Sequence, residues 1–126
     1  LAIQEFLNHL EFFGYSSSQD EDGDWHLTGG ASAPVNFFIN ERANGINLRA
    51  GYGLEGTTFD EVAANAINAQ LWLSKVTIVK EHELAVLEAW TPAVYSKAGF
   101  GVFFDRFKSE VQIFTEALVG SIADEE

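Results

Sequence analysis

Two runs of alternating apolar and polar residues, separated by an Asn-Gly dipeptide, constrain this chain more than any other feature. Val35, Phe37 and Ile39 alternate with Asn36 and Asn40, and Ile46, Leu48 and Ala50 alternate with Asn47 and Arg49. A period of two sends successive side chains to opposite faces, so both runs read as strands with one buried and one wet face. Asn44-Gly45 is then the turn of an antiparallel hairpin, since Asn and Gly tolerate the left-handed backbone of a tight reversal. A half-wet strand that leaves such a turn is a poor candidate for the central parallel strand on which dinucleotide chemistry is usually built.

The remaining pattern surrounds this hairpin with helices. Ile3, Phe6, Leu7, Leu10 and Phe13 recur at helical spacing before Gly14, which predicts a first helix ending there. Residues 16–24 are polar and acidic and are read as a solvated loop, followed by a strand over about 24–28. Thr58 and Glu61 have capping-box spacing, and Phe59, Val62, Ala63, Ala66, Ile67 and Leu71 form the stripe of a second helix running to about Ser74. A β-branched run over 75–80 and a second run over 84–90 flank the polar turn Glu81-His82-Glu83, giving a second hairpin. From about Ser96, Phe100, Phe103, Phe104, Phe107, Val111, Phe114, Leu118 and Ile122 fall on one side of a third helix, with an acidic tail expected to fray. The order is helix, three strands, helix, two strands, helix, one domain over 1–126, which describes an α+β fold with helices laid on a twisted antiparallel sheet.

Charge narrows the partners. Nineteen Asp and Glu against seven Lys and Arg leave a formal charge of -12, which repels phosphate backbones and anionic lipid headgroups. The cations are scattered singly or in twos, so nucleic acid is not an expected partner, and no apolar run approaches a membrane span. With no Cys there is no disulfide framework, thiol nucleophile or Cys-based zinc site, in keeping with an expected cytoplasmic location. Leu1 opens the sequence without a signal-peptide layout, and a chain holding no Met is expected to be trimmed at its front.

The motifs that could carry chemistry each have a simpler reading. Gly51-Tyr52-Gly53-Leu54-Glu55-Gly56 matches G-x-G-x-x-G between a strand and a helix. Glu55 would sit beside the phosphates, however, and residues 70–74 offer no acid for a ribose hydroxyl. A flexible connection is the preferred reading, with a small-ligand or nucleotide-binding enzyme using this loop as the alternative. The acidic run Asp20, Glu21, Asp22, Gly23, Asp24 lacks the first and last ligands of an EF-hand, and His9, His26 and His82 lack metal-ligand spacing. No G-x-S-x-G anchors a hydrolase. No cofactor, metal or catalytic residue is expected, and the chain is read as non-enzymatic.

Trp72 stands apart. On a helical wheel of residues 58–74 it falls with Glu61, Asn65 and Asn68, opposite the apolar stripe, so its indole is expected to be exposed. Tryptophan is enriched at the anchors of protein interfaces, which makes Trp72 a candidate contact, with Asn65 and Asn68 beside it and Phe38 on the wet strand face. The reading that results is a protein-binding module that takes a client or a second copy of itself. A sensor of apolar ligands, opened between the third helix and the sheet, is a third reading.

Several segments together resemble a known family. Residues 3–15 (IQEFLNHLEFFGY), the acidic-glycine turn at 20–25, the hairpin ending in Leu48-Arg49-Ala50-Gly51-Tyr52-Gly53-Leu54, and the asparagine-bearing helix leading into a Val-rich strand over 65–79 resemble YbjN-type proteins. These are bacterial and cyanobacterial domains labelled sensory transduction regulators. The resemblance covers nearly the whole chain and implies the fold of type III secretion chaperones, with the order α-β-β-β-α-β-β-α. It further implies a small, acidic, non-enzymatic homodimer that holds a segment of a client, and it carries no set of functional residues.

Overall fold

A computed structural model describes residues 2–30, 34 and 36–122. In chain order the elements are α1 (Ala2–Phe12), β1 (Tyr15–Gln19), β2 (Trp25–Gly29), β3 (Asn36–Arg42), β4 (Gly45–Gly53), α2 (Glu61–Asn68), β5 (Lys75–Val79), β6 (Leu84–Pro92) and α3 (Lys97–Gly120). The six strands form one sheet in the order β1-β2-β3-β4-β6-β5, and every neighbouring pair is antiparallel. The architecture is therefore α+β, with three helices and an open antiparallel sheet. Val35, expected to open the strand observed as β3, and the acidic tail over 123–126 lie outside the described residues.

Alternation decides which face is covered. Leu27, Phe37, Ile39, Ile46, Leu48, Ala50, Val76, Ala85, Leu87 and Ala89 point to one side and form a single core with the helices. α3 lies across that side: Phe104 and Phe107 pack on Phe37 of β3, and Phe114 meets Tyr52 of β4. α1 joins α3 through the edge-to-face pair Phe6–Phe100, with ring centroids 4.8 Å apart. The opposite side carries His26, Phe38, Asn40, Asn47, Arg49, Glu88, Trp90 and Lys75, and among the described residues the helices pack on the other side. Asn47 nevertheless does not meet water as its place in the alternation predicts; it is 5% exposed.

Five expectations need correction. The stretch read as a loop over 16–24 contains β1, so four strands precede α2 rather than three. β1 escapes the alternation test because only Tyr15 of its five residues is buried, and the strand exists by pairing with β2. The reversal after β3 is centred on Ala43 and Asn44, at φ 53° and 61°, with Arg42 opposite Gly45. Gly45 is thus a strand residue, needed because the Trp90 ring lies over it: a Cβ there would come within 2.2 Å of the indole.

α2 begins and ends inside the predicted span. Its N-cap is Asp60, which accepts from the Ala63 amide at 3.0 Å, while Thr58 bonds instead to the carbonyl of Ser121. The helix stops at Asn68, so Trp72 lies on the connection to β5 and not on a helix face. Ile122 likewise leaves the stripe of α3; it is 59% exposed and bridges Thr57.

Candidate functional site

The connection between α2 and β5 is held by one buried carboxylate. Glu110 sits on the apolar stripe of α3 with no exposed surface, and it accepts from the amides of Trp72 (2.8 Å), Leu73 (3.1 Å) and Ser74 (2.7 Å). The Ser74 hydroxyl donates to the same group, and Arg106, one turn back on the helix, adds an N–H at 2.9 Å. Burial alone would raise the Glu110 carboxyl; the Ser74 hydroxyl and the amides of Trp72, Ser74 and Leu73 outweigh it and hold the group below its ordinary range. A carboxylate so surrounded fixes three consecutive peptide units.

On this rigid connection Trp72 is 88% exposed, the most exposed large apolar side chain of the described residues. Its exposure follows from the Glu110 clamp and not from the wheel position that predicted it. Asn65 is exposed on α2. Asn68 is instead bound to the backbone of β5, where its Nδ2 donates to the Val76 carbonyl at 3.0 Å and its Oδ1 accepts from the Val76 amide at 2.7 Å. Its side chain thereby pairs with the outer edge of β5 as a neighbouring strand would. Phe38 is 40% exposed, stacks on His26 at 4.7 Å and lies on β3, which β4 and β6 separate from β5 in the sheet. The register runs Phe38, Arg49, Glu88, Lys75 across the sheet, so the ion pair between Arg49 and Glu88 lies between Phe38 and Lys75.

The glycine loop is built differently from a phosphate cradle. Gly51 and Gly53 are in β4, opposite Val86 and Leu84, and both neighbours of β4 run antiparallel to it. The Leu54 amide donates to Glu83 and the Thr57 amide to Leu54, and α2 starts only at Glu61. Phosphate recognition of the dinucleotide kind needs amides gathered at a helix N-terminus directly after the strand.

The other candidate groups are separate. Asp20 caps its own turn, accepting from the amides of Asp22 and Asp24, and Asp24 also accepts from Asn40. His26 shares a 2.6 Å hydrogen bond with Asn36, and His82 is exposed in a 3-10 turn. His9 is buried and shares a 2.7 Å hydrogen bond with the Tyr95 hydroxyl; burial first, then the charge of Lys97, lowers its pKa, against an opposing effect of Asp105. Beside this pair a cleft of about 300 Å³ is rimmed by Phe12 and Phe13. No group of three or more metal-ligating side chains occurs among the described residues, and none of their helices is long and apolar enough to cross a membrane. The chain matches no family model, no curated protein and no solved structure.

Proposed function

We propose that this chain is a protein-binding module, chaperone-like or regulatory and without enzymatic activity, that works in the cytoplasm as a homodimer through a patch centred on Trp72. The observation that carries this reading is an indole 88% exposed on a backbone that a buried carboxylate holds still. An exposed Trp on a mobile loop must be ordered on binding; one already fixed has met that cost in the folded state. The open antiparallel sheet with three helices agrees with the proposed kinship to YbjN-type domains and the type III secretion chaperone-like fold, with β1 as an additional strand.

Sedimentation equilibrium on the wild type and Trp72→Ala tests the proposal. The wild type is expected to be a dimer. The variant is expected to dissociate at least about tenfold more readily, since an interface Trp typically contributes about 2 kcal/mol or more. Its monomer stability should stay within roughly 0.5 kcal/mol of wild type, as for other exposed substitutions. A monomer in both cases removes the proposal.

A further inference from the structure

The helix-free face of the sheet carries a cleft of about 450 Å³ whose lining includes Arg42, Asn47, Ser74, Lys75, Glu88 and Trp90. Three independent features of it point the same way. Asn47 lies at its floor, 5% exposed, and the Nδ2 donor of its amide is buried with no hydrogen-bond partner. A buried donor left unpaired costs roughly 1–3 kcal/mol, so the Asn47 amide has an acceptor to gain, either the equally unpaired Oδ1 of Asn40 opposite it on β3 or one that enters the cleft.

The second feature is charge. In a chain with nineteen acidic residues and seven basic ones, each cation has carboxylates to choose from. Arg49, Lys80, Arg106 and Lys108 do pair with Glu88, Glu61, Glu110 and Asp105. Arg42, Lys75 and Lys97 pair with no acid among the described residues, and the first two of them line this one cleft. Glu88, the one acid in the lining, stands opposite Lys75 in the register but is drawn to Arg49 at 3.1 Å.

The third feature is a flat apolar wall. The Trp90 ring lies over Gly45, opposite Asn47 in the register is Trp90 itself, and the indole is tied by a single hydrogen bond from Nε1 to the Arg42 carbonyl at 2.8 Å. Two cations at a rim, an amide donor at the floor and an indole beside them match a planar, charged acceptor carried on a short apolar stem.

We propose that this cleft binds a carboxylate, seated between Arg42 and Lys75 and reaching the Asn47 amide as the singly tethered Trp90 ring gives way. The group can come from an acidic protein segment or from a free small carboxylic acid. The cleft adjoins the connection that carries Trp72, since Leu73 and Ser74 line it, but the groups proposed to hold the carboxylate do not include the Trp72 indole.

Nuclear magnetic resonance titration of the folded chain with succinate, with a short acetylated Asp-Glu-Glu peptide and with inorganic phosphate tests this. Saturable shifts of the Asn47 side-chain amide and the Trp90 indole N–H are expected with succinate or the peptide. The dissociation constant should rise about fivefold in Lys75→Ala and in Arg42→Ala, the range of a partly exposed charge pair, and stay unchanged in Lys97→Ala. Tighter binding of the peptide identifies a protein segment as the source, and tighter binding of succinate a free acid. Either supports the site, and persistence of binding in Trp72→Ala separates it from the dimer. Absence of saturation, equal affinity in the two cleft variants and the wild type, or phosphate binding tighter than both carboxylates would overturn the proposal.

Discussion

A carboxylate with no exposed surface stays ionised only where donors replace its water, and Glu110 has three backbone amides, a hydroxyl and a guanidinium around it. Its folded pKa lies below the ordinary value of 4.5, so the unfolded chain takes up its proton first as pH falls. The stabilisation is complete above that value and is lost as pH drops through the folded pKa. Glu110→Gln keeps the shape and removes the charge, and should cost about 2 kcal/mol at neutral pH, because hydrogen bonds to a charged group exceed neutral ones. Urea titrations from pH 7 downward are expected to show that difference shrinking below pH 4.5; a constant difference would mean the charge contributes nothing. The sequence did hold a sign of this residue. Glu110 falls three positions after Phe107 on the stripe Phe100 to Leu118, and an acid on an otherwise apolar stripe needs a partner. Its partners, 36 to 38 residues away, left no sign.

At the scale of elements, long alternating or helical stripes were legible and short polar elements were not. The hairpin of β3 and β4 and the long helix α3 follow from side-chain period alone. α2 was expected to reach Ser74 because Ile67 and Leu71 continue its stripe, yet the chain leaves the helix where the Asn68 amide finds the backbone of Val76. That pair of hydrogen bonds depends on the placement of β5, which no local pattern in α2 encodes. Replacing Asn68 with Ala should destabilise the domain by roughly 1–2 kcal/mol, for two lost hydrogen bonds of ordinary net worth. It should also raise light scattering on storage, because the outer backbone of β5 is then free to pair. Thermal melts and scattering on the same sample check both effects, and an unchanged Tm would show that water replaces the amide at no cost.

For the whole molecule, a charge of -12 sets how copies meet. Two such chains repel, and added salt screens that repulsion over about 10 Å at 0.1 M. The proposed dimer should therefore tighten several-fold between about 20 mM and 300 mM salt. Weakening of the dimer with salt, followed by sedimentation, would mean that ion pairs and not the indole hold it together. The sequence conveyed the fold class and the exposed Trp72, while the cleft around Asn47 was read as open strand surface, since alternation cannot report what a cross-strand Trp90 covers. The sealing of β5 by Asn68 has one more result for assembly. A sheet with a plug on its far border has a single side left for lateral joining, so contact through β1 would terminate with a pair of molecules and could not propagate into a fibre.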